Sequence, residues 1–272
     1  MKAVIFEKYG PPEVLKLTEL KKPAPKDDEV LIKILATSVT TGDTKVRRLK
    51  LAGLIWAIAR LSGWKKPLNK VLGMEFAGEI EAVGKNVTKF RTGDNVFGDA
   101  NFNGFGAYAE YKCLPESGML SIMPSNVSFQ QAAVIPVGGV VALRYLKKAK
   151  ISTGQETLIY GASGSVGTYA IQLAKYFGAD VTGVCSTTNL ELVKNIGADV
   201  VIDYKNEDFS KNDKKYDLIF DAVGKIPRSK RKVSLKQNGK FISAMGNPGP
   251  ATPDDLIFLK RSCRKGNHKT DY

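Results

Sequence analysis

The sequence predicts an α/β chain in two parts: a β-rich part over residues 1–125, then a doubly wound parallel sheet over 126–250. Three observations carry this. Short strand-like runs broken by Gly, Pro, Asn and Asp fill the first part. Strands and helices alternate after Pro124. A glycine-rich run, Gly161-Ala-Ser-Gly-Ser-Val-Gly167, sits between a predicted strand and a predicted helix.

In chain order, Lys2–Phe6, 29–36, 78–83 and 107–113 read as strands, punctuated by Gly10-Pro11-Pro12, Pro23-Ala24-Pro25 and Thr92-Gly93-Asp94-Asn95. Residues 128–148 read as helical segments broken at Pro136 and at Gly138-Gly139. Then come a strand (Glu156–Tyr160), a helix (166–177), a strand (180–184), a helix (189–196) and a strand (200–203). A strand (218–223), a helix (228–235) and a strand (240–245) follow. In 166–177 the apolar Val166, Ala170, Ile171, Leu173, Ala174 and Phe177 share one side. Such alternation implies parallel strands with helices on the faces.

The 272 residues are 43% hydrophobic, enough for one or two cored domains. No apolar run reaches the roughly 20 residues that cross a bilayer. The start, MKAVIFEKYG, does not read as a signal peptide. Three scattered cysteines, Cys113, Cys185 and Cys263, do not form a disulfide framework, and a cytoplasmic setting is the expectation. The net charge of +14 fits nucleic acid, a membrane surface, a polyanionic cofactor or simply solvated lysines.

The residues Gly161, Ala162, Ser163, Gly164, Ser165, Val166 and Gly167 point to a phosphate-binding turn. A strand-to-helix turn needs φ/ψ freedom, a pyrophosphate needs close backbone approach, and the helix N-terminus attracts the anion. A tight turn without ligand remains the plain alternative. The Gly-Lys-Ser/Thr ending of a nucleotide-hydrolysing loop is missing. About 20 residues on, where an acid usually meets the ribose of NAD, the chain reads Val184-Cys-Ser-Thr-Thr-Asn189. Ser186 and Thr187 can donate to a 2′-phosphate with no acid there to repel it, and Lys194 and Lys205 add positive field. NADPH is favoured over NADH. The same hydroxyls can also cap the following helix.

The chain resembles the medium-chain dehydrogenase/reductase superfamily, and within it the zinc-independent quinone oxidoreductase-like branch. The resemblance runs from Met1 to about Gly246 on MKAVIFEKYGPPEVLKL, SVTTGDTKVR, LGMEFAGEIEAVGKNV, TGDNVFG, GAYAEY, YGASGSVGTYAIQLAKYFGADV, NIGADVVIDY and FDAVG. It implies a GroES-like first domain, a Rossmann second domain and an active site in a cleft between them. Tyr204 is then expected near the 2′-phosphate, and Ala222, Val223 and Met245 along the ribose and nicotinamide. Zinc-using relatives carry histidine where Met74 stands and a cysteine early in the site; here Thr40-Thr-Gly-Asp43 has none, and the one histidine is His268. Metal is therefore not expected. LGMEFAG reads as a turn that lost its metal ligand, with Met74 filling apolar space and Glu75 bonding backbone or a basic neighbour. Relatives have Asn-Pro-x-Asp where this chain has Thr40 to Asp43, and Val141 replaces a usual threonine. Thr40, Asp43 and Lys45 are the candidates at the nicotinamide end, each also readable as part of a plain turn. Without zinc, the fitting hydride acceptors are small hydrophobic quinones and α,β-unsaturated carbonyls.

Residues 49–61, LKLAGLIWAIARL, place Leu51, Leu54, Ile55 and Ile58 at helical spacing among basic flanks. The segment can pack on its own domain, wall a hydrophobic pocket or lie on an anionic membrane. The Lys- and Arg-rich stretch 225–240 keeps a nucleic-acid-binding protein as an alternative of a different class, although no interleaved aromatic platform accompanies it. Residues 251–272 read as an irregular, shortened tail after a helix start at 254–260. No candidate for a sixth parallel strand follows, which leaves a sheet edge uncovered and a homodimer an open expectation. A degraded or truncated paralogue without turnover is the third reading.

Overall fold

The computed structural model describes residues 1–49 and 66–264. The expected apolar helix over 49–61, apart from Leu49, and His268 fall outside the described residues. The chain divides into two compact units, Met1–Pro136 and Val137–Tyr272.

The first unit is built on β1 (Lys2–Phe6) paired antiparallel with β2 (Leu15–Glu19), and on a five-stranded antiparallel sheet. That sheet comprises β3 (Glu29–Thr37), β4 (Glu75–Val83), β5 (Asn95–Asp99), β6 (Tyr111–Pro115) and β7 (Leu120–Ile122), in the order β6-β3-β4-β5-β7. Helix α1 (Thr41–Arg47) follows β3, and the short α2 (Phe129–Ala133) packs on β3, β4 and β5. The core is Val30, Ile32, Phe76, Ile80, Val96 and Leu114, all with no exposed surface. Truncating a phenylalanine such as Phe76 in such a core costs about 3–5 kcal/mol.

Two expectations are corrected here. LGMEFAG is not a turn: β4 begins at Glu75, and only Leu72, Gly73 and Met74 lie before it. The backbone turns at Gly73, where φ is +99° and a Cβ would stand 2.6 Å from the Tyr108 nitrogen. The strand expected over 107–113 starts later, at Tyr111, after an isolated bridge between Ala3 and Ala109. Polar ends and short length hid β5 and β7, whose inner residues Val96, Phe97 and Leu120 are buried.

The second unit holds a five-stranded parallel sheet in the order β10-β9-β8-β11-β12, the doubly wound arrangement. Its strands are β8 (Glu156–Tyr160), β9 (Asp180–Cys185), β10 (Val200–Asp203), β11 (Tyr216–Asp221) and β12 (Leu235–Ser243). The helices are α3 (Ile135–Ala149), α4 (Ser165–Tyr176), α5 (Leu190–Asn195), α6 (Arg228–Ser234) and α7 (Pro253–Arg264). The expected breaks at Pro136 and Gly138-Gly139 do not occur. Pro136 is the second residue of α3, where the missing N–H had no helical partner to lose. The two glycines make room: a Cβ on Gly138 would stand 2.5 Å from Ser165 Oγ, and one on Gly139 2.9 Å from Leu259 Cδ1. The described part of the tail is not irregular, because α7 runs to Arg264. The buried Asp255 anchors that helix to α3 through Lys147 Nζ at 3.0 Å and Arg144 at 3.5 Å.

Candidate active site

In the second unit, the run Gly161–Gly167 joins β8 to α4. The N–H groups of Gly161 and Ala162 both donate to the Val184 carbonyl at 3.0 Å, which pins the turn to β9. Gly161 has φ +79°, open to glycine at no steric cost. A Cβ on Gly167 would stand 2.1 Å from the Gly161 carbonyl oxygen. The N-cap of α4 is Gly164, which supplies no capping side chain, and Gly164 and Ser165 are exposed there. A helix N-terminus left open in this way can receive an anion; Ala162 is buried in the turn, and Ser163 and Val166 are half-buried.

At the end of β9 the structure shows a network that the sequence only partly announces. Asn189 Nδ2 donates to Ser163 Oγ and to Ser186 Oγ, both at 3.1 Å. Ser186 Oγ also lies 3.2 Å from Thr188 Oγ1. Thr187 Oγ1 donates to Asp203 Oδ2 at 2.6 Å. Asp203 further accepts from Asn206 Nδ2 at 2.8 Å and the Lys205 N–H at 3.0 Å. These bonds, that of Thr187 first, hold its carboxyl below the ordinary carboxylate range. The expectation of no acid at this place is thus corrected. The acid comes from the neighbouring strand, because Asp203 pairs with Cys185 in the parallel register. The alternative reading of Ser186 as a helix cap is not realised either: it stands at the N-cap of a single 3-10 turn and makes no side-chain cap bond.

Tyr204 is half-exposed, its ring 6.4 Å from that of Tyr160. Both line a cavity of about 700 Å³ with Phe209, Lys205, Lys225 and Lys230. Lys230 is paired with Asp208 at 2.8 Å. Across the sheet, Ala222 and Val223 follow β11. Their loop is held by Asp221, fully buried, whose carboxylate accepts from the N–H groups of Val223, Gly224 and Ile226 at 3.1, 2.7 and 2.8 Å. Met245 is 62% exposed beyond β12.

In the first unit, Thr40 and Asp43 form a capping box on α1. Asp43 Oδ2 accepts from the Thr40 N–H at 2.9 Å and the Thr40 hydroxyl at 2.6 Å, and Oδ1 accepts from the Gly73 N–H at 3.1 Å. Thr40 Oγ1 lies 3.4 Å from Met74 Sδ, and a Cβ on Gly42 would stand 2.6 Å from that sulfur. Met74 therefore fills the space over Gly42. Glu75, buried, accepts from the Ser38 hydroxyl. Its cross-strand neighbour Asp99 is pushed up to about 6, by burial first and then by Asp43, against the N–H of Asn101. Lys45 is exposed. A thioether and a threonine hydroxyl stand together here, and the carboxylates of Asp43, Glu75 and Asp99 bond their own neighbours. Among the described residues, no group of three or more His, Cys, Asp or Glu could hold a metal ion. Sequence reasoning missed Asn189, Asp203 and Asp99. A signal for Asp203 existed in NIGADVVIDY, since adjacent parallel strands end side by side.

Residues 26–125 match the alcohol dehydrogenase GroES-like domain family and 165–266 the zinc-binding dehydrogenase family. A quinone-oxidoreductase homolog of Spinacia oleracea is 34% identical over 276 residues, 97% of this chain and 80% of that protein. The chain belongs to the medium-chain dehydrogenase/reductase superfamily. Two further members are a 2-methylene-furan-3-one reductase of Solanum lycopersicum, 36% identical, and an NADPH-dependent alkenal/one oxidoreductase of Arabidopsis thaliana, 34% identical. Each matches over 271 residues, 96% of this chain, and this superfamily member spans 66% of their length. No described helix is long and apolar enough to cross a membrane.

Proposed function

We propose that this chain is an NADPH-dependent oxidoreductase that reduces quinones or α,β-unsaturated carbonyls without zinc. The observation that carries the reading is the uncapped N-terminus of α4, opened by Gly161, Gly164 and Gly167, with the Ser186 hydroxyl at the end of β9. The name of the Arabidopsis relative supports the cofactor, and those of the relatives support the substrate class. NADPH bound there would supply hydride to an electron-poor carbon. The backbone of Gly161, Ala162, Ser163, Gly164, Ser165, Val166 and Gly167 would hold the pyrophosphate. Ser186, Thr187 and Tyr204 would bound the adenosine end, and Ala222, Val223 and Met245 the ribose and nicotinamide.

In the first unit the roles divide by hydrogen bonding. The Thr40 proton is engaged by Asp43, so Asp43 acts by fixing Thr40 and α1. Lys45, an exposed cation, is the group proposed to stabilise the substrate oxygen as negative charge develops. The test is thermal unfolding with NADPH, with NADH and without either. A ligand that binds only the folded state raises the midpoint. A larger rise with NADPH is expected, and the variant Ser186→Asp is expected to lose that difference. No shift with either dinucleotide overturns the reading.

A further inference from the structure

We propose that Asn189 is a positioning residue that sets the preference for a 2′-phosphate by aiming the hydroxyl of Ser186. The inference rests on the cofactor reading above and adds to it the group that makes the strand-end hydroxyl a donor.

A serine hydroxyl has one hydrogen and two lone pairs. What it offers a ligand is decided by what its neighbours have already taken. Thr187 and Ser186 stand side by side at the end of β9, and their partners differ. The hydrogen of Thr187 goes to the Asp203 carboxylate at 2.6 Å. Toward a ligand this oxygen can only accept. It suits a ribose hydroxyl and gives nothing to a phosphate, which has no hydrogen to donate when fully ionised. Ser186 accepts from Asn189 Nδ2 at 3.1 Å, and its second lone pair can take the Thr188 hydroxyl at 3.2 Å. Its own hydrogen is then free to point outward. The pair of hydroxyls is therefore one acceptor beside one donor, and the donor is the one Asn189 holds.

The same amide nitrogen reaches Ser163 Oγ at 3.1 Å, in the glycine-rich turn. Asn189 thus ties the turn, where a pyrophosphate would lie, to the strand end, where a 2′-phosphate would lie. Both serine oxygens accept from the amide, so both turn their hydrogens away from it. The Asp203 carboxylate makes this more than decoration. A persistent negative charge next to Thr187 disfavours a phosphate, so discrimination in favour of one falls on the Ser186 donor and on nearby cations such as the Lys205 ammonium.

The experiment measures equilibrium binding by calorimetry to the full chain. The probes are adenosine 2′,5′-bisphosphate and adenosine 5′-monophosphate, which differ by the 2′-phosphate alone. The wild-type chain should prefer the bisphosphate. In Asn189→Ala the ratio of the two affinities should fall about tenfold, the loss of roughly one hydrogen bond to a charged group. Asn189→Asp, equal in shape but unable to donate, should lower the ratio at least as far. In a Ser186→Ala background, Asn189→Ala should lower it no further; a merely structural role would not cancel in this way. A wild-type preference that survives both Asn189 variants, each folded by circular dichroism, overturns the proposal and leaves the cofactor reading standing. A wild-type chain that binds neither probe nor either dinucleotide overturns both.

Discussion

Asp43 shows how one buried carboxylate can hold two segments far apart in sequence. It accepts from Thr40 twice and from Gly73 once, so it fixes the start of α1 against the turn before β4. Asp43→Ala would leave these donors without an acceptor, and we expect a loss of about 3 kcal/mol or more in urea unfolding. Asp99 behaves in the opposite sense. Its ordinary value of 3.8 is raised to about 6 in the folded chain, mainly by burial. The native state then holds the proton more tightly than the unfolded one. The contribution of this group to stability is greatest below the unfolded value, falls as pH rises through the interval up to about 6, and is a constant cost above it. That cost is on the order of 3 kcal/mol at neutral pH. Asp99→Asn should raise the unfolding midpoint at pH 7.5 and leave it nearly unchanged at pH 3.5; an equal shift at both would exclude Asp99 as the titrating group.

Among the elements, the turn between β8 and α4 leaves no room for a side chain at Gly167. With the Gly161 oxygen 2.1 Å from where a Cβ would sit, Gly167→Ala must move either the turn or the helix. We expect at least about 2 kcal/mol of destabilisation together with loss of dinucleotide binding, read by the same thermal assay. Asp255→Ala should free α7 from α3, and its amides should then exchange with deuterium faster than those of α4. This turn and the alternating strands around it were legible in the sequence because glycine spacing and apolar runs report local backbone demands. What escaped is tertiary. Pro136 and the paired glycines break a helix on propensity, yet α3 runs through them because Ser165 and Leu259 occupy the space side chains would need. Glu75 reads as part of a turn because an acid in an apolar run looks out of place; in the structure Ser38 meets it within β4. Asp203 was hidden for a third reason, since a search along the chain looks past an acid that arrives from the adjacent strand.

Over the whole chain, charge is uneven. The second unit carries 22 Lys and Arg against 13 Asp and Glu, the larger share of the net +14. Surface pairs such as Lys175–Asp199 and Lys236–Asp217 contribute little each, while the excess positive charge repels itself. Raising salt from about 20 to about 300 mM should therefore increase the unfolding midpoint, because screening relieves more repulsion than attraction. Strand β12 forms one border of the parallel sheet among the described residues, and Lys236 and Lys240 lie along it. Charged side chains on such a border oppose pairing with a second sheet.

The bond between Thr187 and Asp203 has a consequence for protein engineering. The usual way to turn an NADPH enzyme toward NADH is to write an acid at the end of the second strand. Here an acid already stands beside that place. A new carboxylate at residue 186 would add its charge to that of Asp203 on the neighbouring strand. Under the proposed cofactor reading, the redesigned chain would set two negative charges against a 2′-phosphate, a stronger rejection than one written acid supplies alone.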